Sequence, residues 1–148
     1  MKKWMIVALA LVAVMRSGRG QDVARLQPVE VVRIAMEGQS FAVEVDSGER
    51  GVGESLAHAV ADLREGASAE VFLDTAEYVL LGSSIESEEL LAFLRPSCMV
   101  CYEVGEADLS QVGRFLKTHR LETTLLDYRN GKTPGRLEIK DGRMELAT

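Results

Sequence analysis

Short apolar runs of strand length alternate along this chain with stretches whose apolar residues recur at helical spacing. That alternation restricts it to a layered α/β architecture. Residues 29–37 and 40–46 are rich in Val and Ile and are separated by Glu37-Gly38-Gln39-Ser40, the pattern of a β-hairpin. In the second arm Phe41, Val43 and Val45 alternate with Ala42, Glu44 and Asp46, so one face can be buried while the other meets water. Residues 46–53 read as a turn leading into a helix, in which Leu56, Ala59, Val60 and Leu63 share a face and Gly66 supplies the stop.

Two further apolar runs follow, at residues 71–73 and 78–81; the second reads as a strand, the first as strand or turn. A helix is expected over residues 87–94 through Leu90, Leu91 and Leu94, ending before Pro96 because proline restricts the residue ahead of it. Residues 98–104 return to strand character, and Leu109, Val112, Phe115 and Leu116 define a third helix over residues 108–119. The expected fold is therefore α/β, of the α+β type. It comprises two layers, with about three helices on a sheet that is mixed because its opening hairpin is antiparallel. Residues 28–122 form this domain, after a polar lead at residues 21–27. Residues 123–148, a loop and a second hairpin whose arms flank Asp141-Gly142, are expected to belong to the same domain.

The first twenty residues read as an address rather than as part of the fold. Lys2 and Lys3 precede an uncharged apolar run from Trp4 to Met15, the arrangement of a secretory signal. As a helix that run would extend roughly 18 Å at about 1.5 Å per residue, short of the ~30 Å hydrocarbon core. Small residues at Gly18 and Gly20 permit cleavage before Gln21, whereas Arg16 and Arg19 resist translocation and keep an uncleaved anchor or a buried helix open as alternatives. The expected location is extracytoplasmic, either secreted or anchored at the outer face of the membrane, with membrane contact only through this segment.

Charge narrows the partners. The chain carries 17 basic and 23 acidic residues, and four of the basic ones lie in this acid-free leader, so the remainder has a net charge of about −10. Such a surface repels phosphate backbones, so nucleic acid is not an expected partner; protein partners are.

Few residues carry chemistry. Cys98-Met99-Val100-Cys101 matches C-x-x-C, but a reactive pair needs its first thiol at a helix N-terminus, and here both sit in a β-like run. Residues three apart on a strand point to opposite faces, so buried strand cysteines are expected, with a redox pair as the alternative. His58 and His119 stand alone on different helices, too few to complete a zinc site with the cysteines. Gly48, Gly51 and Gly53 lack the order of a dinucleotide fingerprint, and Ser55 lacks the glycine frame of a nucleophile elbow. Asp74, Thr75 and Glu77 form a polar island between apolar runs and are the candidate binding rim. Glu86, Glu88 and Glu89 crowd a helix start, where they complement the dipole. No catalytic residue, metal or cofactor is expected.

The order of segments resembles one known family. The opening hairpin leads to Gly51-Val52-Gly53-Glu54-Ser55-Leu56-Ala57-His58-Ala59-Val60-Ala61-Asp62-Leu63. Val71-Phe72-Leu73, Tyr78-Val79-Leu80-Leu81-Gly82 and a Leu-rich helix ending at Arg95 follow. Over about residues 29–116 this is similar to the N-terminal domain of the Ger(x)C family, the C subunits of bacterial spore germinant receptors. The chain departs from the family in having no lipobox Cys, and the family's further domains have no counterpart in these residues. The resemblance implies a non-catalytic extracytoplasmic binding or assembly domain, linked to sporulation or germination. The alternatives are a thiol–disulfide protein using Cys98 and Cys101, and a membrane-tethered structural protein.

Overall fold

A computed structural model describes residues 26–147. The leader and the first five residues of the polar lead fall outside them. Nine strands occur in chain order: β1 (Leu26–Pro28), β2 (Val31–Glu37), β3 (Ser40–Val45), β4 (Arg50–Gly53), β5 (Glu70–Phe72), β6 (Tyr78–Leu81), β7 (Met99–Val104), β8 (Arg136–Lys140) and β9 (Arg143–Ala147). The helices are α1 (Leu56–Gly66), α2 (Ser87–Leu91), α3 (Leu109–Thr118) and α4 (Leu125–Arg129), with a 3₁₀ turn at Leu73–Thr75. The class is α/β, as expected.

Seven strands form one mixed sheet in the order β4-β3-β2-β6-β7-β8-β9. Its centre is parallel, with β2, β6, β7 and β8 side by side, and an antiparallel arm closes each side: β3–β4 at one, β9 at the other. Because β8 pairs with β7, the C-terminal hairpin extends the same sheet. A separate parallel pair joins β1 to β5, so the end of the polar lead is a strand, and the 71–73 run divides into strand and 3₁₀ turn.

The expected two layers become helices on both faces. Along β2, Val32 and Ile34 belong to the larger core with α1, Leu90 of α2 and Leu125 of α4. Val31 belongs to a second core with Leu109, Val112 and Leu116 of α3. The same division separates Val79 and Leu81 from Leu80, and Val100 from Cys101, as expected for side chains that alternate across a pleated strand. Strands buried on both faces read as continuous apolar runs, and 78–81 is such a run.

Three local features depart from the sequence reading. The turn at residues 46–53 ends in strand β4, whose Gly51 and Gly53 lie directly on the backbone of α1. A Cβ on Gly51 would meet Ala59 O and Leu63 N, and one on Gly53 would lie 2.5 Å from Ala59 N. The glycines therefore serve close strand–helix packing, with Ser55 capping α1 by accepting from His58 N at 3.1 Å. The second helix is shorter than expected, ending at Leu91. Residues 125–129, expected to lead into a loop, form α4, nucleated by a capping box: Thr124 Oγ1 accepts from Asp127 N and Asp127 Oδ2 from Thr124 N, both at 3.1 Å. The bond from Thr124 N, and then the Thr124 hydroxyl, hold the Asp127 carboxyl below its usual pKa.

Gly51→Ala is expected to destabilise the chain by about 3 kcal/mol, since neither backbone can retreat without breaking the sheet or the helix. Urea unfolding checks this, with Gly66→Ala, whose added methyl meets nothing within 4 Å, as the milder comparison.

Candidate functional site

Cys98 immediately precedes β7 and Cys101 lies within it, where strand alternation sends neighbouring side chains to opposite faces. Cys98 is buried in the larger core and Cys101 in the second, and both are free. Burial pushes both thiols up to about 12. At neutral pH each is therefore a protonated, apolar side chain, and the sheet stands between them. This is the buried-strand arrangement; the redox alternative finds no geometry to support it.

The polar island after β5 is partly gathered into a cleft. Thr75 sits at the end of the 3₁₀ turn, where its hydroxyl lies 2.9 Å from Val29 N, 3.0 Å from Val29 O and 2.9 Å from Phe72 O. That clasp ties the turn to the residues entering β2. A cleft of about 300 Å³ opens beside it, lined by Pro28, Val29, Glu30, Asp46, Thr75 and Glu77. Asp74 is exposed and is not part of the lining. Sequence reasoning missed Glu30 and Asp46, because both belong to the β2–β3 unit, far along the chain. Their proximity shows in the bond from Glu30 N to Asp46 Oδ1 at 3.2 Å.

The cleft is a carboxylate surface with cations at its margin: Lys117 of α3, whose Nζ is 3.3 Å from Glu30 Oε1, and Arg95, whose Nη2 is 3.5 Å from Ala76 O. Tyr78 adjoins it: burial, then the charges of Glu77 and Glu30, raise its phenol above the ordinary value. Such an arrangement can receive a basic group of a partner.

A second polar feature, also missed, crosses the sheet on the α3 side. Arg33 of β2 is 11 % exposed at its side chain and Glu103 of β7 is 3 % exposed. Arg33 Nε donates to Glu103 Oε1 at 2.6 Å and Nη2 to Glu103 Oε2 at 2.8 Å, the two-pronged geometry that suits guanidinium and carboxylate. Nη1 donates to Glu44 Oε2 at 3.1 Å, and Nη2 also reaches Ala107 O at 2.5 Å, just ahead of α3. Burial alone would lower the pKa of Arg33, but the bonds and charges of Glu103 and then Glu44 more than offset it, and the net shift is upward. Between the partners β6 gives way to Gly82, where a Cβ would lie 2.8 Å from that of Ala35. The one available signal was a lone Arg inside a Val/Ile run.

Comparison of the chain with protein-family models, with curated proteins and with solved structures finds no match.

The remaining candidates take structural roles. His58 is exposed on α1. His119 caps α3, its ring stacked on Phe115 with centroids 4.0 Å apart and Nδ1 3.1 Å from Phe115 O. Among the described residues no three His, Cys, Asp or Glu are grouped to hold a metal ion. Glu88 pairs with Arg129 of α4 at 3.3 Å, joining two short helices at the surface.

Arg33→Met is expected to lower stability by about 3 kcal/mol, because the buried Glu103 carboxylate loses its cation, while Arg33→Met combined with Glu103→Leu recovers most of that loss. Urea titration of the three proteins checks it. The thiols give a second test. With folded pKa values of about 12 against ~8.5 in the unfolded chain, the stabilisation from burying neutral thiols is complete below pH 8.5 and declines from there towards pH 12. In native protein at pH 8 neither cysteine should react with an aromatic disulfide reagent over minutes, and both should react once urea is added.

Proposed function

We propose that this chain is a non-catalytic extracytoplasmic domain that binds or assembles with protein partners, in a setting linked to sporulation or spore germination. The observation that carries the reading is how the polar groups are distributed. Those that reach into the sheet, Arg33 with Glu44 and Glu103, are consumed by one another. Glu30, Asp46 and Glu77 instead line a surface cleft. Recognition needs a rigid surface with polar groups facing outward, and the placement of these carboxylates supports that reading.

Location and setting rest on the sequence. The apolar run behind Lys2 and Lys3 supports export, and the segment order shared with the Ger(x)C N-terminal domain supports the germination setting. The placement of Cys98 and Cys101 in separate cores counts against a thiol–disulfide role. A membrane tether is the one competing reading with a specific feature behind it, the Arg16 and Arg19 pair after the apolar run.

Cell fractionation of a sporulating host producing the full chain with a C-terminal tag tests the proposal. The expected result is a tag accessible to protease outside intact protoplasts, with a mature N-terminus at or near Gln21. An N-terminus that retains Met1 on externally accessible, membrane-bound protein would establish the tether instead. Protease-protected protein, soluble in the cytosol with Met1 in place, would sink the extracytoplasmic reading.

A further inference from the structure

The two edges of the seven-stranded sheet are protected unequally. At β4 the outward N–H of Val52 donates to Asp62 Oδ2 of α1 at 2.9 Å, so a helix side chain takes up a backbone donor of that edge. At the other edge β9 has no strand, helix or side-chain partner on its outer side among the described residues. An open row of backbone donors and acceptors is a template for another strand.

The register of the β8–β9 hairpin specifies which groups are open. Asp141 and Gly142 form its two-residue turn with φ of 51° and 75°, the mirror-image turn that matches strand twist. The residues flanking such a turn, Lys140 and Arg143, exchange backbone hydrogen bonds. Strict alternation then makes Glu138 with Glu145 and Arg136 with Ala147 the other bonded pairs. Met144 and Leu146 consequently aim their N–H and C=O groups away from the sheet.

Their side chains pack half-buried against the second core, beside Leu137. Arg143 and Glu145 project from the opposite face. Both are exposed, and neither has an ion-pair partner among the described residues.

We propose that β9 pairs antiparallel with β9 of a second copy of this chain, across a two-fold axis at Met144. Charge selects both the partner and the register. Only outward-facing residues can exchange bonds, so the axis must pass through Met144, Glu145 or Leu146. An axis at Glu145 sets that carboxylate against its own copy, which destabilises the pairing. An axis at Leu146 sets Glu145 against Ala147 and leaves both charges without partners. An axis at Met144 sets Arg143 against Glu145 twice, with Met144 beside Met144 on the apolar face. The contact is isologous and uses up β9 in both copies, so the assembly closes as a dimer. This inference goes beyond the proposed function, since a monomeric result would leave location and setting untouched.

Met144→Cys in the full chain provides the test. Opposed residues of a bonded antiparallel pair have Cα atoms about 5.5 Å apart, within disulfide reach, and the buried native thiols do not compete. With diamide as oxidant, a covalent dimer should form that a reductant reverses. Adding Arg143→Glu should reduce it at least tenfold, and adding Glu145→Arg to that variant should restore it. Because the double exchange rebuilds the pair with the same composition, its recovery separates lost pairing from lost folding. Absence of a dimer with Met144→Cys alone, a dimer unaffected by Arg143→Glu, or failure of the double exchange to restore it would each overturn the proposal.

Discussion

Strand β2 is the constraint on which the rest of the structure depends, because it is buried on both faces and flanked on both sides. It bonds antiparallel to β3 and parallel to β6. Val32 and Ile34 serve the larger core, and Val31 the second. A strand in that position has no access to water along most of its length, so any polar side chain on it must be met from within the protein. Arg33 is that side chain, and its partners come from β3, from β7 and from the segment leading into α3. Removing water from one guanidinium thus recruits three separate parts of the chain. The cluster orients the sheet and α3 relative to one another more narrowly than apolar contact alone would.

The same burial explains the inertness of the thiols. Cys98 just ahead of β7 and Cys101 within it are buried in the two cores, and desolvation keeps both thiols protonated, outweighing the opposing charge of Arg95 near Cys98. The periphery carries an acidic cleft where β2 and β6 begin and, among the described residues, a sheet edge at β9 with no further strand paired to it. Both adjoin strands of the central sheet.

Much of the fold was legible in the residues. Alternation of Val and Ile runs with helical spacing announced the mixed α/β sheet. Asp141-Gly142 announced the hairpin that carries β9, since few other pairs adopt positive φ at both positions cheaply. What escaped were elements whose local signal is weak. Strand β4 carries only Val52 as an apolar side chain among Arg and Gly, and it exists because α1 accepts glycine backbone against its own. Helix α4 is five residues long, too short for periodicity, and is held by its capping box.

The sequence by itself determined the class of fold, the acidity of the surface and the opposite orientation of Cys98 and Cys101, because these follow from local spacing and from charge, which need no partner. Tertiary structure alone decided that the sheet is covered on both faces, that Arg33 meets Glu103 seventy residues away, and that Glu30 and Asp46 join Thr75 and Glu77 around one cleft. The reason is physical: a pleated strand reports which residues share a face, but what covers that face depends on where distant segments return, and return is set by packing rather than by any short run of residues.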